Sequence, residues 1–141
     1  MSLNLDGLLI ALLALELRQN LDFDSDDDSS EVRTLYHQTS PEAAEAILRS
    51  QKMNRGSDGL AGGGIYFAET KADTYRKARN HGVILKADVT VGNAKEIDRN
   101  GQDNSYWNLK RQGYDSVTIP RHNGREWVVY NHAQVKNIRR A

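Results

Sequence analysis

The 141-residue chain contains no cysteine, which excludes a disulfide framework, a thiolate nucleophile and any cysteine-ligated metal. It has only two prolines and no Asn-x-Ser/Thr acceptor for glycosylation. Its four histidines, His37, His81, His122 and His132, stand at no metal-ligand spacing, so no metal site is expected. Long hydrophobic runs are also lacking. The most apolar stretch, Leu8 to Leu17 (LLIALLALEL), falls short of the roughly 20 residues that span a bilayer. It follows Asp6 with no Lys or Arg before it, unlike a secretory signal. The expectation is a protein with no membrane partner in an intracellular compartment, cytoplasmic or nuclear.

Charge of one sign is scarce in the sum but not along the chain. The formal net charge of zero hides eight acids against one base, Arg18, in residues 1–31. The remainder carries eleven acids against eighteen bases. A basic body favours anionic ligands such as a dinucleotide, a nucleic acid or an acidic protein surface. An ordinary solvated surface explains the same counts equally well.

The pattern of residues divides the chain into three parts. Residues 1–20 read as an apolar helix that must pack on something, since a helix apolar on most faces does not stand alone in water. Residues 21–31, with DFDSDDDSS, read as an acidic flexible linker. An acidic tail covering the basic body is the competing idea. Residues 32–141 read as one folded domain. Val32 to His37 alternates as a strand, and Ser40-Pro41 opens a helix through Leu48. Ile65-Tyr66-Phe67 reads as a strand and Glu69 to Asn80 as a helix bearing Tyr75. Val83 to Val91, Ala94 to Ile97, Asp115 to Ile119, Trp127 to Tyr130 and Val135 to Ile138 read as further strands, with a short helix in Asp103 to Gln112. Asn123-Gly124 is a two-residue turn signal. Few short helices among many short strands predict a mixed α+β domain rather than a doubly wound sheet.

Several chemical motifs fail. The run Gly62-Gly63-Gly64 lacks the Lys-Ser/Thr ending of a phosphate loop and precedes a strand rather than a helix. No Gly-x-Ser-x-Gly elbow is present. Three separated pieces remain: Leu35-Tyr36-His37-Gln38-Thr39, Gly64-Ile65-Tyr66-Phe67-Ala68 and Gly124-Arg125-Glu126-Trp127-Val128-Val129-Tyr130. Taken singly, each has a plain structural explanation: a hydrogen-bonded histidine, a core aromatic, a solvated glutamate. Tyr66 and Tyr75 together suggest a pair of rings able to clasp a flat ligand.

In this order, the three pieces resemble the catalytic domain of the poly(ADP-ribose) polymerase branch of ADP-ribosyltransferases, over residues 33–138. That family carries a His-Tyr-Glu triad. Its histidine follows an apolar strand, its tyrosine lies in Gly-Ile-Tyr-Phe-Ala, and its glutamate opens Glu-aromatic-apolar-Val-Tyr. The resemblance implies a compact fold of two packed, mostly antiparallel sheets around a cleft for NAD+, which serves as co-substrate. His37, Tyr66 and Glu126 would be catalytic. His37 would hold the adenine-side ribose, and Gln38 and Thr39 the carboxamide. Tyr66 and Tyr75 would sandwich the nicotinamide, with Gly64 and Phe67 lining the same cofactor site. Gln38 stands where the family usually has Gly, and Ala72 where it has Ser. Gly124, two residues before Glu126, departs from the Glu-x-Glu signature of the arginine-modifying branch.

The activity implied is transfer of a single ADP-ribose from NAD+ to a protein acceptor, releasing nicotinamide. The alternatives are a transferase acting on nucleic acid, an NAD glycohydrolase, and a silent module that binds NAD or ADP-ribose. Product analysis separates them: labelled acceptor, free ADP-ribose, or binding without turnover.

Overall fold

The computed structural model describes residues 31–56, 59–77, 82–97 and 106–141. The expected apolar helix of residues 1–20 and the acidic linker, Glu31 apart, lie outside the described residues. So do the end of the helix expected through Asn80 and the start of the one expected from Asp103.

Seven strands and three α-helices follow one another along the described chain, a mixed α+β fold. In order they are β1 (Val32–Thr39), α1 (Pro41–Ser50), β2 (Ile65–Ala68), α2 (Lys71–Lys77), β3 (Val83–Thr90) and β4 (Ala94–Glu96). Then come α3 (Tyr106–Arg111), β5 (Ser116–Ile119), β6 (Glu126–Val129) and β7 (Val135–Arg140), which follows a 3-10 turn at His132–Gln134. The start of α1 is where the sequence places it. Ser40 stays extended and its hydroxyl accepts from Ala43 N at 3.1 Å, with Pro41 in the first turn. Gln51 ends the helix in a left-handed conformation.

The expected pair of packed sheets is corrected. All seven strands join one hydrogen-bonded sheet, in the order β4-β5-β6-β2-β1-β3-β7. Only β4 and β5 run parallel; the other neighbours are antiparallel. The ladders are uneven. β1 pairs with β3 from Val32↔Thr90 to Thr39↔Val83, whereas β1 and β2 share a single registered pair, Tyr36↔Ala68. The sheet is therefore two well-paired halves joined at one residue pair.

Alternation along the central strands gives the sheet two apolar faces. Leu35, Ile65, Phe67, Leu85, Ala87, Val89, Trp127 and Val129 gather on one, with Ala44 of α1. Ala61, Leu109 of α3, Val117, Ile119, Val128 and Tyr130 gather on the other. Both faces are buried, so β5 is buried at every position although Ser116 and Thr118 are polar, and Trp127, Val128 and Val129 of β6 form a continuous apolar run.

The sheet also curls, because the end of β3 meets the start of β5 although three strands lie between them in the sheet order. Asp115 N donates to Asn93 O at 2.7 Å, and Ser116 Oγ donates to Val91 O at 2.7 Å. Gln134 completes the seam. Its Nε2 donates to Thr90 O at 3.0 Å and to Asp115 O at 2.9 Å, while its Oε1 accepts from Tyr130 N and Asn131 N.

The two-residue hairpin expected at Asn123-Gly124 is also corrected. The β5–β6 ladder closes at Ile119↔Glu126, and the turn bond runs from Gly124 N to Arg121 O at 3.2 Å. Asn123 and Gly124 are thus the last two residues of a four-residue turn. Pro120 follows the last pair and has no N–H with which to extend the ladder.

Replacing Gln134 by Ala strips partners from two backbone donors and two backbone acceptors. The expected cost is about 2–3 kcal/mol, read as a lower urea midpoint with an unchanged slope. An unaltered midpoint would contradict the account of the seam.

Candidate active site

The three sequence motifs meet where the β1–β2 ladder stops. Leu35 of β1 is buried in the core and Tyr36 pairs with Ala68. Past that pair the main chains no longer exchange bonds, and the His37 side chain fills the opening. Its Nδ1 lies 2.8 Å from the Tyr66 carbonyl. A carbonyl only accepts, so Nδ1 carries the proton and the neutral ring keeps its lone pair on Nε2. The imidazole stands edge-on to Phe67, with centroids 5.9 Å apart. Burial pushes the His37 pKa below its ordinary value of 6.5, partly countered by the hydrogen bond to Tyr66.

Tyr66 is half-buried, and its hydroxyl is tied into its own loop. It accepts from Ala61 N at 2.9 Å and donates to Gly62 O at 3.1 Å. This bonding accounts for the glycine-rich stretch. Gly59 has φ of +124°, and a methyl group added there would overlap the Tyr66 hydroxyl. Gly62 has φ of +77°. Gly64 lies so close to Val128 that any side chain would collide with it, which makes this residue a packing necessity between β2 and β6.

Glu126 opens β6 opposite Ala68, while Tyr66 sits opposite Val128. Paired residues of an antiparallel ladder share a face, so Glu126 and Tyr66 are diagonal neighbours on one face of the sheet. The Glu126 side chain is 14% exposed, and its Oε2 lies 3.2 Å from Nε of Arg121. The carboxylate thereby has a fixed position at the mouth of the β5–β6 hairpin.

Helix α2 packs against β1 and β2 and adds the remaining groups. The Gln38 side chain, which stands where the resembled family has Gly, is fully engaged. Its Nε2 donates to Thr74 Oγ1 at 3.0 Å and its Oε1 accepts from Gly82 N at 2.8 Å. It therefore staples β1 to α2. Thr39 ends β1 opposite Val83, with Gly82 packed against its carbonyl. Tyr75 is 51% exposed on α2, next to the buried Thr74. A side chain at Gly124 would overlap the Asp73 carboxylate, so α2 also abuts the turn before Glu126.

The structure thus sets the three motifs on the neighbouring strands β1, β2 and β6. Tyr66 and Glu126 share one face, while His37, one residue past Tyr36, alternates to the other and meets the Tyr66 carbonyl. Gln38 and Thr39 end β1, and Tyr75 lies on α2. One expected site residue takes a different place. The Phe67 side chain is buried in the core beneath His37, leaving only its backbone to line a cleft. Arg121 is the group that sequence reasoning missed. Its signal was its place in the short hairpin connection leading back to Glu126. Among the described residues, no three His, Asp or Glu side chains gather as a metal would require. Nor is any helix among them long and apolar enough to cross a membrane.

Because folding lowers the His37 pKa, the unfolded chain binds more protons, and stability rises with pH. The contribution is complete above the unfolded value of 6.5 and is lost as the pH falls through the lower, folded value. Between pH 7 and 5 the parent protein should therefore lose more stability than His37→Gln, by at most about 1.4 kcal/mol per pH unit. Parallel urea midpoints across this range would contradict it.

No protein-family model matches the chain, and no curated protein matches it at significant similarity.

Proposed function

We propose that the chain is an NAD+-dependent ADP-ribosyltransferase of the His-Tyr-Glu type, with the ADP-ribosyltransferase fold, that transfers a single ADP-ribose to a protein acceptor. The observation that supports this reading is that the three motifs, far apart in sequence and each dull alone, lie on the neighbouring strands β1, β2 and β6, with His37 bonded to the Tyr66 carbonyl.

The roles follow from the groups. In the neutral imidazole with Nδ1 bound to the Tyr66 carbonyl, Nε2 accepts a hydrogen bond from a ribose hydroxyl. The half-buried ring of Tyr66 offers one face to the nicotinamide, and Tyr75 on α2 supplies the second ring. The backbone at Gln38 and the Thr39 hydroxyl take the carboxamide. Gln38 does not obstruct them, because its side chain is held by Thr74 and Gly82. The glycosidic C–N bond to nicotinamide breaks, the ring leaves neutral, and positive charge develops on the ribose. A fixed carboxylate at Glu126 stabilises that charge as it forms and steers the acceptor to the sugar carbon, receiving the acceptor's proton. Arg121 positions that carboxylate through the 3.2 Å contact.

A nucleic-acid acceptor is the second reading, favoured by the excess of eighteen bases over eleven acids in residues 32–141. Labelled NAD+ incubated with protein and with nucleic acid separates the two. Label on protein, lost in Glu126→Gln, supports the lead; label on nucleic acid supports the second reading. Free ADP-ribose alone makes the chain a glycohydrolase, and binding without product makes it a silent module.

Glu126→Gln should lower nicotinamide release by roughly 10²–10³ in kcat. Tyr75→Ala should raise KM roughly 2- to 10-fold with little change in kcat, as the loss of one stacking ring predicts. A Glu126→Gln protein with full turnover would overturn the assignment.

A further inference from the structure

Helix α3 presents an outer face that nothing in the transferase reading uses. Its inner side is anchored by Leu109, which is 2% exposed, and by Tyr106, whose ring lies 5.7 Å from that of Tyr130. On the outer side stand Trp107, Lys110 and Arg111, at positions i, i+3 and i+4 of one helical face. Trp107 is 73% exposed, the largest exposure among the big hydrophobic side chains of the described residues. The three side chains line an open depression of about 460 Å³. The indole is steadied by Tyr106, with ring centroids 5.7 Å apart.

The charge on this helix has one sign. Residues 106–114 contain Lys110 and Arg111 and no acid. Lys95 reaches the end of the helix at Gln112 Oε1, 3.4 Å away, and Arg55 lies over the Tyr106 ring at 5.2 Å. A flat apolar ring flanked by cations fits a ligand that alternates flat rings with negative charges. A single-stranded nucleic acid has that repeat: bases stack on an exposed aromatic while phosphates meet Lys and Arg. An acidic peptide satisfies the cations but offers the indole no ring. A duplex keeps its bases stacked and out of reach.

We propose that the Trp107-Lys110-Arg111 face binds single-stranded nucleic acid, with Trp107 stacking a base and the two cations holding the adjoining phosphates. This is independent of catalysis and stands whether or not Glu126 transfers ADP-ribose.

The test uses the full chain and a fluorescently labelled 20-mer of deoxythymidine, followed by anisotropy at low salt. Binding is expected, weakened roughly 5- to 100-fold in Trp107→Ala and largely kept in Trp107→Phe. Lys110→Ala/Arg111→Ala should lower the slope of log affinity against log salt by about 1.4, the loss of two phosphate contacts. Thermal unfolding of each variant should match the parent, since all three side chains are exposed. No binding at low salt would overturn the proposal. So would affinity indifferent to Trp107→Ala, or equal affinity for a duplex of the same length or for poly-glutamate.

Discussion

The hydrogen bond between His37 and the Tyr66 carbonyl is the contact on which the rest of this site depends. A sheet that simply continued its β1–β2 ladder would have no opening. Here the ladder stops after Tyr36↔Ala68, and the Tyr66 carbonyl receives an imidazole N–H at 2.8 Å. A hydrogen bond of this kind is worth about 0.5–1.5 kcal/mol net, and it ties β1 to β2 where the main-chain ladder has stopped. The same bond fixes the histidine tautomer and leaves Nε2 as an acceptor. Structure and chemistry are set by one contact.

The split must also be prevented from spreading. Three devices hold the two halves of the sheet around it. The Gln134 amide joins the end of β3 to the bend that leads into β5. Gln38 ties β1 to α2, and α2 leans on the turn that delivers Glu126. The glycine-rich loop is closed by the Tyr66 hydroxyl and by Arg55, whose Nε donates to Gly63 O at 2.6 Å. Tyr130, deep in the second apolar face, adds a bond from its hydroxyl to Ala61 O at 2.6 Å. Burial pushes the pKa of that phenol up, so it remains a donor. Each motif is therefore held by its neighbours rather than by its own strand alone.

Much of this was legible in the residues, and the failures have physical causes. Ser40-Pro41 marked a helix start because a hydroxyl cap and a fixed φ are local properties. Strands were legible wherever apolar or β-branched residues clustered. The single curled sheet was not, because strand order depends on contacts such as Ser116 with Val91 that no local pattern encodes. The Asn123-Gly124 signal misdirected the hairpin reading, because Pro120, with no N–H to extend the ladder, ends it at Ile119↔Glu126. At the site, His37, Tyr66 and Glu126 were identifiable only as a set. Phe67 belonged to the same motif, yet it faces the core because strand neighbours alternate. Gln38 was legible only as a departure from the family's Gly, whereas its two amide bonds make it a staple. Arg121 went unnoticed because an arginine in a hairpin connection is ordinarily a solvated residue.

In the function proposed above, the Glu126 carboxylate, the lone-pair nitrogen of His37 and the ring of Tyr66 serve a ribose joined to a flat cationic ring. The central claim is that this break is where NAD+ binds, and amide chemical-shift mapping by NMR tests it most directly. Addition of NAD+ to the full chain is predicted to shift the amides of Gln38, Thr39, Tyr66, Phe67 and Glu126, with the His37 Nε2 resonance moving alongside them. An unchanged spectrum at millimolar NAD+, or shifts confined to a region away from the β1–β2 break, would contradict the account.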